Sequence, residues 1–364
     1  MKASILLIVL LCACVVHSQE FGEVHPGVEF ANFNKNIGDT NVRISLLRLD
    51  PKRVRLEIVH AGDSPLGLEK TSEIAKSKNA VAAINAGFFR LDTSDFGGEA
   101  AGLLQIDKQL ISESFANRVA LGIENKKNET KLVIGNAETK TVLKIGKETF
   151  SNVGFNRECK NNEIVIFTPG FRGNFDVKQE VYFFKKRKMT GFAKQLHNLS
   201  KDEFAVSGCG SFTTGVAEAL KKSKKAQYKS TLKPEFAEDE KQFKESEDIV
   251  AGIPRLIRNG KIDVNWEKEK TTKSFSETKH PRTAIALLKS GRILLVAIDG
   301  RSESSGGISL DNLAKLLLEL GAKDAMNLDG GGSTAMYLDG KIVNNPSDKD
   351  GERKISDAIL VFLR

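Results

Sequence analysis

The aliphatic run Ile293–Ile298 (ILLVAI) most narrows what this chain can fold into. Gly291 and Arg292 precede it and Asp299 and Gly300 follow, so it reads as a short strand buried on both faces. Leu310, Leu313, Leu316, Leu317 and Leu320 then recur at three and four, the helical period. Ser309 stands at the N-cap position, Asp311 in the first turn, and Gly321 at the stop. Residues 324–328 read as a second strand, ending in Asp329 and three glycines. Strand, helix and strand in that order predict a βαβ unit at about 292–328, with parallel strands and a right-handed crossover. The fold class expected is α+β, with mixed β-sheets and peripheral helices.

That topology places Asp299 and Asp329 at the same end of two parallel strands, where open sheets form ligand sites. Two carboxylates at one rim can share acid and base roles or hold a cation. Gly330, Gly331 and Gly332 leave backbone N–H groups uncovered, which suits close approach by an anion. This is no Walker loop: no Lys-Ser/Thr pair follows, and residues 333–338 read as a strand. The competing reading makes both Asp-Gly pairs plain turns. Three consecutive glycines carry an entropic cost that a plain turn does not require.

Two arginines stand near that rim. Pro281 fixes the entry to the strand at 284–288, which holds His280 and Arg282 at the sheet's edge. A guanidinium there can pair bidentately with phosphate, as can Arg301 just past Asp299. Asn85 ends another short apolar run, 80–84, and its amide suits sugar hydroxyls or a phosphate oxygen. An asparagine turn with Phe88 and Phe89 in the core is the structural alternative. The polar segment 90–102 reads as a loop over the rim, a candidate lid.

Elsewhere the chain alternates strands and turns. Residues 20–40 read as an edge strand or loose lead-in. Residues 41–46 and 54–58 form a strand–turn–strand pattern with one buried face, with a bulge where Leu47 and Leu49 shift the phase. A helix is expected over 66–78 and a hairpin over 130–145. Residues 221–248, basic then acidic, read as a surface excursion with a solvated helix. Asn259-Gly260 and Asp339-Gly340 mark hairpins, and 356–363 closes the chain as a strand. No linker divides it, so 19–364 is expected to be a single domain.

Residues 1–18, with Lys2 before the apolar run 5–16, read as a secretory signal peptide. A bacterial lipid-attachment reading at Cys14 is the weaker match. No later apolar run reaches the roughly 18 residues of a spanning helix. The mature chain is therefore expected to be secreted and not membrane-spanning. Two cysteines then remain, Cys159 and Cys209, which suggests one disulfide, with two buried thiols as the rival. Asn128 and Asn198 head glycosylation sequons. Formal charge is +8, or +7 without Lys2, spread along the chain with 7% aromatic residues. That pattern argues against a nucleic-acid partner. No cysteine or histidine has metal-ligand spacing, so no metal or other cofactor is implied, although the paired carboxylates leave room for a divalent cation. Oligomeric state is not encoded in any motif.

Assembled, these residues resemble a known family. Residues 85–89 (NAGFF), 254–260 (PRLIRNG), 282–285 (RTAI), 299–301 (DGR) and 327–333 (NLDGGGS) look like the phosphodiester glycosidase domain. The tail, 345–348 (NPSD) and 354–356 (KIS), also fits. The resemblance spans about residues 40–364 and is strongest from 250 onward. It departs at Ala286 and Ile253, where the family often has glycine. It implies hydrolysis of a sugar-1-phosphodiester such as an N-acetylglucosamine-1-phosphodiester, giving free sugar and a phosphomonoester, with a sugar-phosphate glycoconjugate as partner. On that basis Asp329 and Asp299 are the expected catalytic pair. Asn85, Arg282, Arg301, Asn327, Gly330, Gly331, Gly332 and Ser333 are the expected substrate-binding residues. A secreted, non-catalytic carbohydrate- or matrix-binding protein on the same fold is the alternative.

Overall fold

The computed structural model describes residues 20–63, 66–151, 153–171 and 175–364. The expected signal segment, with Cys12 and Cys14, lies outside the described residues, as do residues 172–174 of the expected loop after Phe171. The rim is positioned by β1 (Thr40–Leu49), β2 (Val54–His60), β3 (Ala82–Asn85), β4 (Arg282–Leu288), β5 (Ile293–Ile298), α1 (Leu310–Glu319), β6 (Ala322–Asn327), β7 (Met336–Leu338) and β8 (Asp357–Leu363).

The first sheet has eight strands, in the order Gly22–His25, Val28–Ile37, β1, β5, β4, β6, Arg255–Arg258, Lys261–Ile262. β5 and β6 run parallel, but they are not neighbours as a simple βαβ unit would have them. β4 lies between, antiparallel to both. The tight turn at Ser290-Gly291 pairs β4 with β5 locally, so the α1 crossover delivers β6 to the far side of β4. Ser309 caps α1 as expected, its hydroxyl accepting from the Asn312 amide at 3.4 Å.

All six residues of β5 are buried because both faces of the sheet are covered. Leu47, Leu49, Leu295, Ala297 and Met326 meet Leu56, Ile58, Ile84, Ile359 and Val361 of a second sheet. On the opposite face Leu46, Leu294 and Val296 pack under Leu310, Leu313 and Leu317 of α1. Each such side chain contributes about 1.5–3 kcal/mol on burial. The second sheet runs Lys341–Ile342, β7, β3, β8, β2.

Several expectations are corrected. Strand, turn and strand follow one another over 40–60 as expected, but β1 is buried on both faces and β2 belongs to the other sheet, the chain changing sheets across residues 50–53. No bulge occurs at Leu47, which pairs in continuous register with Leu295. The adjacent apolar residues there serve two cores, one on each face. Thr130–Ile145 is one strand rather than a hairpin. It exchanges partners at Asn136, pairing with Val119–Asn125 before it and with Ala226–Pro234 after. The helix expected over 66–78 is confined to Thr71–Ser77. Residues 221–248 are no excursion: Ala226–Pro234 joins a sheet, and the helix Ala237–Glu245 buries Phe243. Charge alternates there because each element has one wet face. Residues 333–338 are a 3-10 turn, Gly331–Ser333, followed by β7. Cys159 and Cys209 are joined in a disulfide.

Candidate active site

The rim forms where β3, β4, β5 and β6 release the chain at one end of the two packed sheets. β4 begins at Arg282, β5 ends beside Asp299, and β6 ends two residues before Asp329. Pro281 brings the segments together: its carbonyl accepts from the Gly331 amide at 2.9 Å. A Cβ on Gly330 would lie 2.8 Å from that carbonyl, so glycine is required for the close approach. Gly331, at φ +61, lies against Arg301, whose Nη2 would sit 3.0 Å from a Cβ there. A side chain on Gly332 would collide with Asp348 and Arg353. The three glycines thus admit protein groups, Pro281, Arg301 and the Asp348–Arg353 pair, to the loop that carries Asp329.

A buried polar network ties the two sheets together beneath this loop. Asn85 donates from Nδ2 to the Asp329 carbonyl at 2.6 Å. Its Oδ1 accepts from the Thr283 hydroxyl at 2.8 Å and from the Ala335 amide at 3.1 Å. Thr283 also meets the Thr334 hydroxyl at 3.2 Å. Asn344 donates to the Thr334 carbonyl and to Asp299 Oδ1, both at 3.1 Å, and accepts from the Met336 amide at 2.7 Å. One chain of hydrogen bonds therefore links Asp299 to the backbone of Asp329. Asn85 is only 1% exposed and its groups are used within the protein.

Arg282 is buried, and its guanidinium is held by backbone oxygens. Nε donates to the Ile308 carbonyl at 3.3 Å; Nη2 donates to those of Phe275 and Thr278 at 2.6 and 3.0 Å. The Phe275 ring lies 4.9 Å beneath the charge. Among the described residues no carboxylate lies within 4.0 Å of it. Burial, helped by the Arg301 charge, pulls its pKa down to about 10. A cation withdrawn from water without a counter-charge is costly, and an anionic ligand would relieve it. Arg301 is exposed, with Nη2 3.5 Å from His280 Nδ1, whose pKa burial and the two arginines hold below its ordinary value.

Asp329 is half-buried, enclosed by protein on most sides yet still touched by solvent. Its Oδ1 accepts from the Gly330 amide at 2.9 Å. Burial raises its pKa from 3.8 to about 6, against the opposing pull of Ser333, Gly330 and the Arg353 charge. Asp299 is 1% exposed. Asn344 and the Asn345 amide occupy its Oδ1, while Oδ2 is buried without a hydrogen bond among the described residues, 3.8 Å from Arg43 Nε. Its pKa is also raised, chiefly by burial. Asn327 donates to the Ile253 and Leu328 carbonyls at 2.7 Å each, and among the described residues its Oδ1 is a buried acceptor without a donor. Ser333 is fully buried, its hydroxyl beside the Asp329 carboxylate.

Sequence reasoning missed Thr283, Thr334, Asn344, Arg43 and the Asp348–Arg353 pair. Arg353 holds Asp348 through Nε at 2.7 Å and Nη2 at 3.0 Å, against Gly332. Thr283 lies inside the quoted 282–285 motif and Asp348 ends the 345–348 one, neither with a role assigned, while Thr334 follows Ser333 and Asn344 precedes the NPSD tail; that position was the available signal. Among the described residues no three His, Cys, Asp or Glu side chains gather as a metal site.

Residues 182–362 match the phosphodiester glycosidase family. Over 109 residues the chain is 36% identical to the Bos taurus N-acetylglucosamine-1-phosphodiester alpha-N-acetylglucosaminidase and 37% identical to the human one. Those stretches are 28% of this chain and 20% and 21% of the relatives, so the matched part spans about a fifth of their length. A solved hypothetical protein from Synechocystis shares the fold at TM-score 0.76 and 22% identity, covering 93% of this chain and 62% of that one. The zebrafish N-acetylglucosamine-1-phosphodiester alpha-N-acetylglucosaminidase catalytic domain, auto-inhibited by its pro-peptide, superposes at 0.55 and 18%, covering 94% and 86%. The stretch that matches takes in the rim from His280 to Arg353, and the chain belongs to the phosphodiester glycosidase family.

Proposed function

We propose that this chain is a secreted hydrolase of sugar-1-phosphodiesters, N-acetylglucosamine-1-phosphodiesters among them. The observation that carries the reading is the buried guanidinium of Arg282, with no carboxylate within 4.0 Å among the described residues, at the rim that also holds Asp329. Arg282, with Arg301, binds the phosphodiester and stabilises the charge on the departing phosphate. Water attacks the anomeric carbon, the bond from that carbon to the phosphate oxygen breaks, and the oxygen leaves with the bonding pair as a phosphomonoester. The proton lost by water passes to the Asp329 carboxylate, whose raised pKa suits such exchange near neutrality. The leaving group is a stabilised anion, so it needs little protonation.

In this reading Asp299 acts as a positioning residue. Its Oδ1 anchors Asn344 and Asn345, which brace the loop after the glycines. Asn85 and Asn327 likewise hold backbone, and the Gly330–Ser333 loop backs the Asp329 carboxylate through the Gly330 amide. Export is supported by the disulfide and by the exposure of Asn128 and Asn198, the two sequon asparagines.

The test is release of N-acetylglucosamine from N-acetylglucosamine-1-phospho-methylmannoside by the mature protein, beside Asp329→Asn. Turnover in the parent and a loss of at least about 100-fold in the variant are expected, the usual scale for a general base. Equal turnover in both would remove Asp329 from the chemistry. No turnover, together with glycan binding, would favour the non-catalytic alternative.

A further inference from the structure

A cleft of about 700 Å³ opens beside the rim between the loop 90–102 and the turn 112–118. That is within the range of about 300–1,000 Å³ usual for small-molecule sites. The segment after β3 joins the two places. Ala86 accepts from the Asp329 amide at 2.9 Å, and Phe88 accepts from the Ala101 amide, in the cleft wall, at 2.7 Å.

Most charges in this cleft are already paired. Arg157 holds Glu163 bidentately at 2.8 Å and Glu113 at 2.5 Å. Arg90 holds Asp92 and Glu158. Two groups are not so engaged. The Glu99 side chain is 13% exposed, makes no hydrogen bond among the described residues, and has Arg90 Nη1 at 3.9 Å. Burial raises its pKa to about 7. Arg118 has no carboxylate within 4.0 Å among the described residues; it donates to the Glu269 carbonyl at 3.4 Å and lies 4.6 Å over the Phe115 ring.

Phe115 is 54% exposed, an unusual place for a large ring. The turn presenting it is strained, with Ala116 and Asn117 at φ +53 and +43. Ser114 and Thr139 pin the turn by reciprocal amide-to-hydroxyl hydrogen bonds of 2.8 and 2.7 Å. Strain of this kind persists where the surroundings enforce it. An exposed ring face, an open carboxylate and an open guanidinium at one cleft match a pyranose: an apolar face to stack and hydroxyls that both donate and accept.

We propose that this cleft is a saccharide subsite for the sugar on the far side of the phosphate, with Phe115 as its platform and Glu99 and Arg118 as its hydroxyl partners. The proposal rests on reading the rim as a phosphodiester glycosidase site, and its test has an arm free of that reading. Saturation-transfer NMR with methyl α-mannopyranoside should give signal with the full-length mature protein and about tenfold weaker binding with Phe115→Ala, the loss of one ring-face contact. In kinetics, Phe115→Ala and Glu99→Gln should raise KM about tenfold for N-acetylglucosamine-1-phospho-methylmannoside, leave kcat unchanged, and leave KM unchanged when a methyl group replaces the mannoside. No saturation transfer with the parent protein, or transfer unaltered in Phe115→Ala, overturns the subsite. Equal KM effects on both substrates do so as well. Absence of turnover with both substrates counts against the hydrolase, and the NMR arm then decides the subsite alone.

Discussion

Replacing Asp329 with asparagine should make the protein more stable at neutral pH while it abolishes turnover. In the unfolded chain the carboxyl titrates near 3.8; in the fold it titrates near 6. Between those values the native state holds a proton that the unfolded state has lost. Stability therefore falls as pH rises through that window, and the penalty is complete above about pH 6. The difference corresponds to about 3 kcal/mol, and the partial solvent contact of Asp329 trims this to about 2 kcal/mol. Asparagine keeps an oxygen for the Gly330 amide but carries no charge to bury. With unfolding entropies near 2 cal/mol/K per residue, a chain of 364 residues should melt about 3 °C higher in the variant at pH 7.5. At pH 4 the two proteins should differ by under about 1 kcal/mol. Urea titrations at both pH values, read by tryptophan fluorescence, measure this directly. A variant no more stable at pH 7.5, or one whose advantage is the same at pH 4, would refute a carboxyl titrating near 6. In the parent, kcat/KM should rise with pH through about 6 as the base ionises.

Arg282→Gln should weaken binding of a sugar phosphomonoester by about 100-fold, since it removes a buried cation opposite the anion; isothermal titration against the parent checks it. Gly332→Ala should destabilise the protein by about 2 kcal/mol or more, because the new Cβ displaces the Asp348–Arg353 pair; denaturant midpoints decide. Thr283→Val should cost about 1–3 kcal/mol by leaving Asn85 Oδ1 short of a donor, and an unchanged midpoint would contradict the network. Cys159→Ser with Cys209→Ser opens a loop of 50 residues' separation and should cost about 4 kcal/mol, read under the same denaturant.

Much of the rim was legible because the strands that build it carry strong local signals. The β5 run is apolar at every position since both faces are covered, and α1 shows its period and its cap. Asp299 and Asp329 then had to lie at strand ends. What each polar group does there was not legible. Asn85 and Asn327 are the residue types that bind sugars, yet both amides are occupied by backbone carbonyls 2.6–2.7 Å away. An amide serves either purpose equally well, and only the neighbours decide. The charge runs of 221–248 misled for a related reason: a strand or helix with one solvated face is locally indistinguishable from a free segment.

By itself the sequence determined the strand–helix–strand core, the ends at which the two aspartates sit and the glycines of the Asp329 loop. These follow from periodicity, caps and backbone freedom, all properties of near neighbours along the chain. Tertiary structure alone decided that β4 lies between β5 and β6, that Arg282 is buried with no carboxylate beside it among the described residues, and that Asp329 rather than Asp299 keeps solvent contact. It also set Phe115, Arg118 and Glu99 around one cleft. Each of those depends on contacts between residues far apart in the chain, and burial, which sets charge and pKa, exists only once the sheets have packed.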